Sequence, residues 1–465
     1  MRINRLPTDS RPFGSRQGRS PLSPLLLIVF LVVLLAVVAI VLINVQPGAA
    51  AQVADRVRGL VGPRPVAIAE DAFYRVADLL NRTRYHLAGG GPGWHLESPS
   101  EASASAAYTT VANGANTPAG PVRPVADPQT QLPGSGARAA QGGTKWVVPT
   151  SAQLQAVALT PTPLPTAAPP EALISLTPLL TSTQVEGEGI WTPLPTDGEP
   201  PNSSPLLWKT VFRPDPERPF AQVALVAMDL SRSRLHIMVG TEEPVSAMPA
   251  AGLRTGVIPS VVQKSGQLLA AFNGGFRAIH GHYGMMTDGV VWLPAQSGLA
   301  TVAVGPGGST DLGVWGHRIN PQAKWQSWRQ NNPPLIENGQ INPDVQKYAD
   351  TIRWGASVDG GVSIWRSGLG MTAGRRWLIY AVGNSLSVST LTTALNAAHC
   401  ADAMQLDVNA GWEQFVTFQK ATAAATPTAG NQLSLKALRL IDAMNAGPTQ
   451  FLTPDARDFF YLTAN

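Results

Sequence analysis

Three short stretches of this chain set polar side chains beside glycines where apolar runs end. The first is Asn273-Gly274-Gly275-Phe276, followed by Gly284 and by Asp288-Gly289. Glycine takes positive φ at little cost and lets a ligand approach the backbone. Gly274 and Gly275 are therefore candidate substrate-binding positions, with Asn273 and Asp288 as candidate catalytic ones. An ordinary Asn-Gly turn would look the same. The second stretch, Arg366-Ser367-Gly368-Leu369-Gly370, places an arginine ahead of what reads as a glycine-rich turn. A guanidinium fork there can take a phosphate in bidentate fashion, with Ser367 beside it. The plain alternative is a surface arginine at a turn. The third, Asp407-Val408-Asn409-Ala410-Gly411, directly follows the apolar run 403–406. A carboxylate at the end of a buried strand is placed for acid–base, nucleophilic or metal-binding work, with Asn409 as a substrate contact. An Asx-type turn cap is the alternative.

Other signals are weaker. His280 and His282 have a spacing that suits a metal on a strand, but no third ligand lies near them in the sequence, so no metal site is expected. Asp359-Gly360-Gly361 reads as a turn. Cys400 is the single cysteine, which excludes an internal disulfide, and its apolar neighbours suit a buried, inert thiol. No nucleophile elbow, P-loop or dinucleotide fingerprint is present, so no cofactor is implied.

The elements that must position these groups follow from hydrophobic periodicity. Apolar runs at 221–230 and 235–240 flank Ser231-Arg232-Ser233 and read as a hairpin. A strand over 267–272 leads into Asn273. Further strands are expected at 290–292, 300–304, 312–315, 376–382, 403–406 and 413–418. Helices are expected at 257–264, at 390–399 with Leu391, Leu395 and Ala398 on one face, and at 433–444. This pattern predicts a mixed α+β domain over 206–465, strand-rich with packing helices.

Upstream the chain changes character. From Leu25 to Ile43 there are nineteen residues, all Leu, Ile, Val, Ala or Phe. A helix of that length spans about 28 Å, enough for one membrane crossing. A cleavable signal peptide is the competitor, but its apolar core is shorter, about 7–15 residues. The residues before the span carry more arginine than those after it, which predicts a cytoplasmic basic tail (1–24), a transmembrane helix (25–45) and an extracytoplasmic C-terminal domain at the cell membrane. A juxtamembrane segment, 46–88, contains one helix with Ile68, Ala72, Val76, Leu79 and Leu80 at helical spacing. This is either a small packed element or a self-association stripe. Between 89 and 205 periodicity disappears, and residues 161–205 hold eleven prolines and no Lys or Arg. A disordered Pro/Thr/Ala-rich linker is expected there, a stalk with an end-to-end distance on the order of 60 Å. The net charge of +4 and the lack of a basic stripe interleaved with aromatics exclude nucleic acid as the expected partner.

Taken in order, the three stretches resemble the phosphodiester glycosidase family, over about residues 220–465. Asn273 to Phe276 with Gly284 and Gly289 match its early motif, and Arg366, Ser367 and Gly370 its central one. The strand at 378–382, Gly383, the leucine-bearing helix and the strand ending in Asp407 follow in the family's order. The chain departs from the family after Asp407, where Val408-Asn409-Ala410-Gly411-Trp412 replaces a run of glycines and a serine. The resemblance implies a hydrolase acting on a carbohydrate or sugar-phosphate substrate. In it Asp407 is the acid–base or nucleophilic carboxylate and Arg366 the phosphate ligand. Asn273 and Asn409 orient sugar hydroxyls or water, and Asp288 is a second carboxylate. The alternative is an envelope-glycan-binding domain of the same fold that does not cleave.

Overall fold

The computed structural model describes residues 57, 60 and 63–87, short pieces between 89 and 108, and residues 171–465 with gaps at 182–184, 198–202, 247–251, 348–350, 356–362, 409–410, 421–434 and 445. The apolar run closing at Ile43, the basic residues before it, Asp359 and Asn409 lie outside the described residues. By internal contacts the chain forms two units, one of residues 1–110 with 171–465 and one of residues 111–170, which also lies outside them.

Helix α1 is Pro63–Leu87. The strands that follow are β1 Ala107–Tyr108, β2 Thr192–Pro193, β3 Leu207–Phe212, β4 Val223–Asp229 and β5 Ser233–Met238. Helix α2, Ser260–Ser265, precedes β6 Leu268–Asn273, β7 Met285–Thr287, β8 Val290–Leu293, β9 Ala300–Val304, β10 Thr310–Val314 and β11 Ser327–Gln330. Next come β12 Ile336–Glu337, β13 Gln340–Ile341, β14 Ile364–Thr372 and β15 Trp377–Leu386. Helix α3, Val388–Ala397, leads to β16 Cys400–Gln405, β17 Phe415–Lys420, β18 Leu435–Arg439 and β19 Phe459–Ala464. The domain is strand-rich and mixed, with every strand pair antiparallel.

Three sheets share one core. Their strand orders are β1-β18-β17-β6-β19-β5, β10-β9-β11-β7-β8 and β13-β12-β16-β14-β15-β4-β3-β2. Alternation along the central strands sorts side chains between two apolar layers. In β15, Leu378, Tyr380 and Val382 enter the core between the sheets, while Trp377, Ile379 and Ala381 face the layer beneath α3. β4 does the same with Ala224, Val226 and Met228 against Val223, Leu225 and Ala227. Burial on both faces explains why these strands read as continuous apolar runs.

The hairpin expected around Ser231-Arg232-Ser233 does not form. β4 pairs with β3 and β15, whereas β5 pairs with β19 in the other sheet. The turn is a corner: Asp229 Oδ1 accepts from the Ser231 amide at 3.1 Å, and Ser233 Oγ donates to the Asp229 carbonyl at 2.7 Å. The helix expected at 433–444 is replaced by β18, with Leu435 paired to Lys420 and Arg439 to Val416. Leu435 and Ala437 fill an apolar layer with Phe418 and Phe451, so tertiary pairing overrides a locally ambiguous pattern.

The linker also differs from expectation. Residues 171–181 and 185–197 belong to the domain, not to a disordered segment ending at 205. Glu171 accepts from Thr372 Oγ1 at 2.8 Å and the Gly374 amide at 2.9 Å. Glu188 and Arg213 form an ion pair with side chains 2% and 3% exposed. β2 places Pro193 on a sheet edge, where a missing N–H is tolerated. At the other end, Trp94 is buried in the main core, and Leu96 bridges to Ile441. Helix α1 docks on the same unit: Arg218 Nε donates to Asp78 at 3.2 Å, Asn81 Nδ2 to Ser385 Oγ at 3.3 Å, and Tyr85 meets Phe220 with ring centroids 5.8 Å apart. Among the described residues no helix is long and apolar enough to cross a membrane.

Candidate functional site

Two sheets meet at Asn273, at Ser367 within β14 and at Asp407, which follows β16. Asn273 closes β6, and its Nδ2 donates to Ser367 Oγ at 2.9 Å, while its Oδ1 accepts from Tyr380 OH at 2.6 Å. Ser367 Oγ donates to the Asp407 carbonyl at 2.9 Å, and the Asp407 amide donates to the Gly274 carbonyl at 3.2 Å. The Asn273 side chain thus ties the sheets together, with its polar atoms engaged internally. Three of the sequence-derived candidates lie together here: Asn273, Ser367 and Asp407. Gly274 joins them for a steric reason, since a Cβ there would lie 2.2 Å from Asp458 Oδ2. Gly275 donates its amide to the same Asp458 oxygen at 3.2 Å.

Arg366 sits differently from expectation. It lies within β14, not at a glycine-rich turn, and it is fully buried. Nε donates to the Leu386 carbonyl, and Nη1 to the Trp354 carbonyl and Gln405 Oε1, each at 2.9 Å. The glycines after it serve helix packing: a Cβ on Gly370 would lie 2.4 Å from Cys400 Sγ, and one on Gly368 would lie 3.1 Å from Leu395. Cys400 is buried, with burial pushing its thiol far up, in keeping with an inert thiol. Asp288 stands apart, exposed at the β7–β8 turn, where its Oδ1 accepts from Gln326 Nε2 at 3.0 Å.

The guanidinium at the site is one the sequence did not single out. A small cleft lined by Asn273, Gly274, Asp407, Trp412, Asp455 and Arg457 opens beside β19. Arg457 Nη2 donates to Asp407 Oδ2 and to the Gly275 carbonyl at 3.2 Å, and its guanidinium stacks over Trp412 at 5.3 Å. Asp455 Oδ1 takes the Arg457 amide at 2.8 Å. A second missed residue is Glu413, 1% exposed at the approach to β17. Burial first, then the neighbouring Asp407 charge, hold its carboxyl well above the usual carboxylate range, and Arg457 and Arg366 only partly oppose this. Burial also pulls Arg366 down to about 10, so it keeps its proton at neutral pH.

Buried polar atoms rarely lack a partner. Among the described residues such atoms concentrate here: Arg366 Nη2, both Glu413 carboxyl oxygens, Gln414 Oε1, Gln450 Oε1 and Arg457 Nε. Of this set Gln450 and Arg457 line the cleft, where an amide and a guanidinium suit a ligand bearing both hydroxyls and an anionic group. Among the described residues no group of three or more His, Cys, Asp or Glu is placed to hold a metal ion. Neither Arg457 nor Glu413 belongs to a recognisable motif. Their one sequence signal is a charged residue beside an aspartate or an aromatic at the mouth of an apolar strand.

Fold and site together define a strand-rich antiparallel domain with an ion-paired carboxylate cleft where two sheets meet. No protein-family model matches the chain, and no curated protein matches it. Among solved structures it is similar to the zebrafish N-acetylglucosamine-1-phosphodiester alpha-N-acetylglucosaminidase catalytic domain auto-inhibited by its pro-peptide, with a TM-score of 0.35 and 14% identity over 58% of this chain and 86% of that one. A hypothetical protein from Synechocystis has a TM-score of 0.28 and 10% identity over 53% of this chain and 59% of that one. Likeness at this level is a distant relationship of fold.

Proposed function

We propose that the chain is a hydrolase, anchored in the cell membrane through residues 25–43 with its domain outside the cytoplasm, that cleaves a glycosidic bond to a phosphodiester or a related envelope sugar linkage. The observation that carries this reading is the Asp407–Arg457 ion pair lining a cleft, with unpartnered polar atoms of Arg457 and Gln450 in the same lining. Arg457, which lines the cleft where Arg366 does not, takes the phosphodiester oxygens through its planar fork. Asp407 accepts a proton from the water that attacks the anomeric carbon. The bond from that carbon to the phosphate oxygen breaks, and the phosphate monoester leaves as an anion against Arg457. Burial raises the proton affinity of Glu413, which favours its neutral form and limits the negative charge that Asp407 faces. Arg366, Asn273 and Ser367 hold the strands in place, and Gly274 and Gly275 let the backbone pass close to Asp458 and Arg329.

The test is release of free reducing sugar from a panel of hexose 1-phosphodiesters by the full chain. Asp407→Asn is expected to lower turnover by about 10²–10⁴-fold, the usual contribution of a positioned acid–base group. Undiminished turnover in Asp407→Asn would overturn the assignment. A glycan-binding domain without turnover is favoured by one feature, the near-complete burial of Glu413. Saturable glycan binding with no product from any substrate in the panel would establish that second reading.

A further inference from the structure

Helix α1 presents its apolar stripe outward. Ile68, Val76, Leu79, Leu80 and Leu87 are 54–84% exposed. At 3.6 residues per turn they share about 120° of the helix surface along its whole length. The opposite face makes the contacts with the domain, through Val66, Asp78, Asn81 and Tyr85. The helix expected as either a packed element or a self-association stripe is therefore packed by its polar side. What covers the other face is a separate question.

We propose that this face lies on a lipid surface and holds the domain flat against the membrane. Three observations favour lipid over a second copy of the chain. A coiled-coil seam is narrow and repeats every 3.5 residues, whereas this stripe is wide and follows the straight-helix period. Exposed Arg84 flanks the stripe at one edge, where its stem can lie on acyl chains and its head can reach anionic headgroups. Finally, the nineteen-residue apolar run ends at Ile43, twenty residues before Pro63. A chain of twenty residues reaches at most about 70 Å even when fully extended, so an anchored chain keeps α1 within that distance of the bilayer surface. This inference rests on the anchored reading above, and it replaces a domain reaching away on a stalk with one seated on the membrane.

The test reconstitutes the full chain in nanodiscs of phosphatidylethanolamine and phosphatidylglycerol. Single nitroxides are placed at Val76→Cys, Leu79→Cys and Arg84→Cys, with buried Cys400 protected from the label. Positions 76 and 79 are expected to collide several-fold more with oxygen than with a water-soluble nickel chelate, and position 84 to show the reverse. Equal chelate access at 76, 79 and 84 would overturn the proposal. So would dipolar broadening between labels in discs holding two chains, which would assign the face to a second copy. Failure of the chain to co-elute with the discs would remove the anchor itself, and co-elution with chelate-accessible labels would remove the seated helix alone.

Discussion

Arg457 Nη2 joins the Asp407 carboxylate to the Gly275 carbonyl, linking three segments that are remote in sequence. Both side chains of the ion pair are 9% exposed. The contact orients the carboxylate that follows β16 and fixes the glycine turn that follows β6.

Breaking that pair from one side strands a charge in a poorly solvated place. Arg457→Ala is expected to destabilise the domain by about 3–5 kcal/mol, seen as a lower urea midpoint at unchanged slope. Asp407→Asn with Arg457→Met is expected to be less destabilised than the sum of the two single variants. Additivity would mean that the residues do not act as a pair.

Glu413 gives stability a pH dependence. Its folded-state proton affinity is raised, so above its ordinary value of 4.5 the folded chain retains a proton that the unfolded chain releases. The contribution is present below that value and is lost as pH rises through the folded-state value. Wild-type melting temperature is expected to fall between pH 5 and pH 8 more steeply than that of Glu413→Gln, which should be the more stable of the two at pH 8. Parallel profiles would exclude the raised affinity.

Close packing of β14 against Cys400 of β16 predicts a compensating pair. Gly370→Ala places a methyl against Cys400 Sγ, an overpacking expected to cost about 1–3 kcal/mol. Cys400→Ala in the same chain is expected to recover part of that loss. Denaturant midpoints of the three variants check it.

Asp288 is expected to be silent. Exposed and hydrogen-bonded to Gln326, it lies outside the cleft. Asp288→Ala should keep stability within about 0.5 kcal/mol and leave sugar release unchanged. A large loss of turnover would restore it as the second carboxylate.

Much of the frame was legible along the chain. β6, β9, β15 and β16 announce themselves as apolar runs, because strands buried on both faces leave no polar alternation. Asp407 stands out because it directly follows such a run. Periodicity also marks α1 and names the residues of its apolar stripe.

Which partners those elements choose was not legible. β4 and β5 look like a hairpin, yet each completes a different sheet, since pairing is decided by which apolar face must be covered. α1 turns its apolar stripe away from the domain because ion pairs and rings on its other face dock it. Arg366 looks like an anion ligand and is a buried strut bonded to carbonyls. Arg457 and Glu413 look like ordinary charges and become the cleft's cation and a buried acid of raised proton affinity. Local sequence by itself determined where strands and helices begin and where a carboxylate ends a buried strand, because those depend on near neighbours. Only the tertiary structure decided which charges lose their water and meet, because desolvation and ion pairing depend on residues brought together from as far apart as Asn273 and Arg457.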